Sequence, residues 1–80
     1  MLFVTVISIP SEKAKEAVEL ARKLKPPIGI NVREAVVLFG KPDALVLFEA
    51  PDEKTAMGFV LELSQVGETR TSMAVPIAEL

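Results

Sequence analysis

Hydrophobic positions along this chain follow two different periods, and the switches between them mark the elements. Residues 2–9, Leu-Phe-Val-Thr-Val-Ile-Ser-Ile, are β-branched and apolar and predict a first strand. Pro10 ends it. Ser11 then offers a hydroxyl as an N-cap, and Ala14, Ala17, Val18, Ala21 and Leu24 recur at helical spacing as a buried stripe. This helix must stop by Lys25, because Pro26-Pro27 cannot continue it. Ile28-Gly29-Ile30-Asn31 reads as a linker. Residues 32–39 predict a second strand ending at Gly40, Lys41-Pro42-Asp43 turns the chain, and residues 44–49 predict a third. Two β runs this close form a hairpin. Pro51 stops the third strand and Asp52 caps a second helix, whose buried stripe is Ala56, Phe59, Val60 and Leu63. Gly58 costs about 1 kcal/mol relative to Ala inside that helix, which suggests a close helix–sheet contact there. Gly67 stands where a left-handed C-cap belongs. Residues 68–75 predict the last strand, and 76–80 a short tail.

The order strand–helix–strand–strand–helix–strand belongs to the α+β class. Its usual closure is ferredoxin-like: a four-stranded antiparallel sheet with right-handed crossovers and both helices on one face. The hairpin strands then pose a problem. Ala35 to Phe39 and Ala44 to Phe48 run without a polar residue. Successive strand side chains point to opposite faces, so both faces of the hairpin are apolar. With the helices on one face, the other exposes more apolar surface than monomers usually tolerate. Two sheets packed face to face across a two-fold axis, a dimeric α+β barrel, resolve this. The expected partner is therefore a second copy of the chain, as a homodimer or a higher oligomer built on it.

Composition strengthens that expectation. Eighty residues make a single domain, spanning 1–80, that buries only about 60–65% of its unfolded surface. Such domains usually recruit disulfides, a metal or a partner. There is no cysteine and no histidine, which excludes disulfides and argues against a zinc or copper site. No cofactor is expected. The net charge of −2 gives no footprint for nucleic acid. Lys13, Lys15, Arg22, Lys23 and Lys25 interleave with Glu12, Glu16 and Glu19 as a solvated helix face. Met1 to Ile9 lacks the basic start and cleavage site of a signal peptide, and no run approaches the ~20 apolar residues of a membrane span. A cytoplasmic location is expected. The absence of Cys, His, Trp and Tyr fits a thermophile.

Without His or Cys, nucleophiles and bases reduce to Ser, Thr, Lys, Asp and Glu, and no G-x-S-x-G, P-loop or G-x-G-x-x-G motif occurs. Two features stand out. Gly40-Lys41-Pro42-Asp43 has the residue types of a tight turn, and Lys41 with Asp43 also offers opposite charges suited to a zwitterion such as an amino acid. Glu68-Thr69-Arg70-Thr71-Ser72 reads as an edge strand blunted by charge. Its alternative reading is an anion site built on the bidentate fork of Arg70. Glu34 and Glu49 lie on adjacent hairpin strands with Arg33 near, most simply as surface charge, the alternative being a carboxylate pair for acid–base work.

Phe39-Gly40-Lys41-Pro42-Asp43, the run from Ala44 to Glu53, and Gly67-Glu68-Thr69-Arg70-Thr71 together resemble the GYD-domain family and the effector-binding domain of Lrp/AsnC regulators. Both belong to the dimeric α+β barrel group. The likeness covers about residues 34–75. Pro42 stands where GYD-like sequences carry an aromatic before the turn aspartate, a departure that bears on any stacking contact to a ligand. No helix-turn-helix segment precedes the domain, so direct DNA binding is not implied. The resemblance implies a small ligand, such as an amino acid, held between subunits near Gly40, Asp43, Thr69, Arg70 and Thr71; the charge reading of the turn adds Lys41 to these candidate ligand-binding residues. Three functions follow: a stand-alone, non-catalytic ligand-sensing or interaction domain; a small cofactor-free enzyme of the barrel group, monooxygenase- or isomerase-like; or a helper bound to a separate DNA-binding protein.

Overall fold

Phe3, Thr5 and Ile7 alternate with Val4 and Val6 along the first strand, β1 (Leu2–Ser8), and the alternation sorts its two faces. The first set is buried; the second stays half-exposed. In the computed structural model, which describes residues 1–80, α1 (Ala14–Lys23), β2 (Asn31–Val37), β3 (Ala44–Glu49), α2 (Glu53–Leu63) and β4 (Glu68–Ala74) follow. The strand order is β2-β3-β1-β4 and every neighbouring pair is antiparallel, the ferredoxin-like arrangement.

The core lies between the sheet and the helices. Phe48 and Phe59 are fully buried. Their rings meet edge to face at 4.9 Å, and Phe3 stacks on Phe48 at 5.5 Å. Geometries of this kind add about 0.5–1.5 kcal/mol per pair beyond area burial. Ile7, Val46, Ala56 and Leu63 close around the three rings. Thr5 is the one buried polar residue, and its hydroxyl shares a 2.8 Å hydrogen bond with that of Thr71.

Asp52 caps α2 as its position suggests, accepting from the Thr55 backbone N–H at 2.7 Å. Ser11 does not cap α1. A 3-10 turn at Ser11–Lys13, entered from Pro10, leads into the helix without a side-chain cap. The α1 stripe is also rotated. Ala17 is buried and Leu20 and Leu24 half-buried, whereas Ala14, Val18 and Ala21 face outward. Just before the helix, Lys13 Nζ reaches the Gln65 carbonyl at 3.5 Å.

Two glycines do other work than their positions suggest. Gly58 faces open space, with nothing within 4 Å of where a Cβ would sit, so it makes no close contact. Gly67 is not left-handed; only Gly29 and Gly40 have positive φ. It is small because β1 passes close by: an added Cβ would lie 2.4 Å from the Ser8 carbonyl oxygen.

The face away from the helices is uncovered. Its two central rows, read across the pairing registers, are Glu34–Leu47–Val4–Ser72 and Val36–Leu45–Val6–Arg70. The first half of β2 does not share this parity. Val32 pairs with Phe48 and Glu34 with Leu47, so Arg33 is an extra residue and the register shifts by one. Such a bulge turns the rest of the strand over. It puts Glu34 and Val36 on the open face and Ala35 and Val37 on the helix side, where Val37 remains 79% exposed.

Gly58→Ala should stabilise the fold by about 1 kcal/mol, since it removes backbone entropy without a clash. Gly67→Ala should destabilise it by about 1–3 kcal/mol, because Ser8 is backbone and cannot yield cheaply. Urea denaturation at one fixed protein concentration checks both signs.

Candidate functional site

Gly40 opens the β2–β3 turn at φ +131°, a conformation that side chains rarely adopt. The chain then returns so that Asp43 reaches the end of β1. Its carboxylate Oδ2 accepts from the Ile9 backbone N–H at 2.6 Å and from Lys41 Nζ at 2.7 Å. Its own N–H donates to the Ile7 carbonyl at 2.8 Å, and its carbonyl accepts from Leu38 N–H at 2.8 Å. Lys41 Nζ also reaches the Ile9 carbonyl at 3.4 Å. One aspartate therefore ties the turn, β2 and β1 together. The Lys41 ammonium, and then the Ile9 N–H, hold its carboxyl below the usual carboxylate range. The two turn charges face each other. The Lys41 side chain is 69% exposed and that of Asp43 only 28%, so lysine is the member of the pair that meets solvent.

The polar start of β4 is divided by the sheet's alternation. Thr69 pairs with Ile7 and Thr71 with Thr5, on the helix side. Thr71 spends its hydroxyl on Thr5. Arg70 pairs with Val6 and stands alone of the three on the open face. Its side chain is 82% exposed, and its nearest carboxylate, Glu68, is 3.9 Å away and equally solvated. An exposed pair at that distance is worth little.

The turn and β4 nevertheless share one end of the sheet. Asp43 adjoins Ile7, and Ile7 and Ser8 pair with Thr69 and Glu68. Only β1 separates them, a span of two strand spacings or ~10 Å. At the other end Glu49 is engaged, accepting from Asn31 Nδ2 at 2.8 Å and from Arg33 at 3.4 Å. Glu34 makes no ion pair within the chain. The two main surface depressions, of about 340 and 360 Å³, lie beside α1 and beside Arg33 and Glu49, away from both features. No three Asp or Glu side chains gather as a metal site, and no helix is long and apolar enough to cross a membrane.

Fold and turn together define a small ferredoxin-like α+β domain with one bare sheet face. The GYD domain model matches residues 5–80, nearly the whole chain, and the chain belongs to the GYD domain family. A search of curated proteins finds no match.

Asp43→Asn should lower the melting temperature at neutral pH. A carboxylate with a depressed folded pKa contributes stability that is complete above its unfolded value, ~3.9, and lost as pH falls through the folded one. The gap between wild type and variant should therefore close below about pH 4. Asp52, held low by its bonds to Thr55, adds a parallel loss in both proteins. Thermal unfolding across that range checks the convergence.

Proposed function

We propose that this GYD-family chain is a non-catalytic, homodimeric domain that senses a small amino-acid-like metabolite at the boundary between subunits. The observation that carries this reading is Arg70, a nearly free guanidinium at the rim of an uncovered apolar sheet face. A planar fork of donors suits a carboxylate. The apolar rows beside it suit a partner sheet, which would enclose an otherwise open site. The Gly40–Asp43 turn, held rigid by its own ion pair and by β1, forms the wall at the same end, with the Lys41 ammonium accessible. The Lrp/AsnC resemblance supports the same location.

The absence of catalysis is supported by how the side chains are spent. The chain has no His or Cys. Thr5 and Thr71 bond each other, and the Ser64 hydroxyl donates to the Leu61 carbonyl at 2.7 Å. Neither arrangement activates a nucleophile, which needs an adjacent base.

At micromolar concentration, light scattering should give twice the chain mass; a monomer there would overturn the dimer. A thermal-shift and calorimetric screen of the standard amino acids should produce a hit that Arg70→Ala abolishes. Silence across amino acids and other common metabolites would sink the sensing role.

A further inference from the structure

We propose that the two open faces pack about a two-fold axis running along the strands, so that Arg70 of each copy meets Glu34 of the partner subunit. The proposal rests on the homodimer reading above and adds its geometry. On the open face Glu34 stands on β2 and Arg70 on β4, in adjacent rows; Arg33 beside Glu34 is bonded to Glu49, and Glu68 beside Arg70 lies 3.9 Å from it. An axis along the strands, between the central strands β3 and β1, carries the β2 edge of one copy onto the β4 edge of the other. Leu47 then lies over Val4 of the partner subunit and Leu45 over Val6 of the partner subunit, apolar on apolar. Glu34 lies one row from Arg70 of the partner subunit. Adjacent rows are about 7 Å apart and packed sheets ~10 Å, a gap that two long side chains span from opposite sides.

An in-plane axis across the strands instead carries each edge onto itself, β2 over β2 and β4 over β4. Of these two aligned packings, the axis along the strands is the one that brings Glu34 to Arg70 of the partner subunit.

Neither charge is otherwise committed. Glu34 makes no ion pair in its own chain, and Arg70 has only the solvated Glu68. The bulge at Arg33 is what presents Glu34 on this face; a regular strand would put Arg33 opposite Leu47 instead, as a second positive edge. Area is sufficient: four strands at ~4.8 Å and about seven residues at ~3.3 Å give roughly 450 Å² in plan, and side-chain relief brings the two faces to the ~1,000 Å² of a specific interface. The pairing leaves room for a ligand on Arg70, because a guanidinium has five N–H donors and a carboxylate uses two.

Sedimentation equilibrium on wild type, Glu34→Arg, Arg70→Glu and the double reversal tests this. Each single reversal should raise the dimer dissociation constant about tenfold or more, and the double should return it to within about threefold of wild type. Circular dichroism checks that each variant folds; if a reversal does not, Glu34→Gln and Arg70→Gln replace it, with a loss of about threefold or more expected of each. Singles that dimerise as tightly as wild type, or a double no tighter than the weaker single, overturn the pairing while leaving the dimer intact. A monomeric wild type overturns the homodimer reading itself.

Discussion

Two helices of ten and eleven residues can cover one face of a four-stranded sheet and no more. That limit governs the rest of the molecule. The helices take the side where Phe3, Phe48 and Phe59 interlock, and β3 shows the consequence most plainly. Its run Ala44–Phe48 sends Val46 and Phe48 inward and Leu45 and Leu47 outward. A strand so apolar on both faces is built for two layers, and the chain supplies only one. Coverage is thin even on the helix side. The Ala14, Val18 and Ala21 flank of α1 is bare, and Ala35 and Val37 of β2 are exposed although they face the helix side.

The candidate site inherits this economy. Its rigid part and its exposed charge are different residues. Asp43 is consumed by architecture, with four hydrogen bonds that fix the turn to β1 and β2. Arg70 is left over by the same architecture, since the strand's alternation separates it from Thr69 and Thr71. The turn is thus a preformed wall whose lysine is held by Asp43, and Arg70 beside it is a long side chain still free to be ordered.

What could be read in the sequence was whatever depends on near neighbours. The period of the apolar residues located the strands and helices within two residues, and Asp52 announced its cap because the recipient, Thr55, is three residues away. The turn chemistry of Gly40–Asp43 was legible for the same reason. Misreadings arose where a distant segment decides. Ser11 looked like a cap, but the chain enters α1 through a 3-10 turn. Gly67 looked like a helix terminator, whereas its size answers to Ser8, which is distant in sequence and adjacent in space. The polar cluster Glu68–Ser72 looked like one patch until the sheet divided it. The place of Glu34 on the open face was hidden behind the bulge, which no local pattern of residue types betrays.

That bulge has a consequence for heredity. The doublet Arg33-Glu34 stores both signs of charge at one place, and the extra residue decides which is shown. Loss of codon 33 would straighten the strand and keep glutamate outward; loss of codon 34 would straighten it and turn arginine outward in its place. Two deletions, neighbours in the gene and equally gentle to the backbone, would thus differ in the sign they leave opposite Leu47. After a gene duplication, one daughter would keep its parent's charge at that place and the other would carry the reverse.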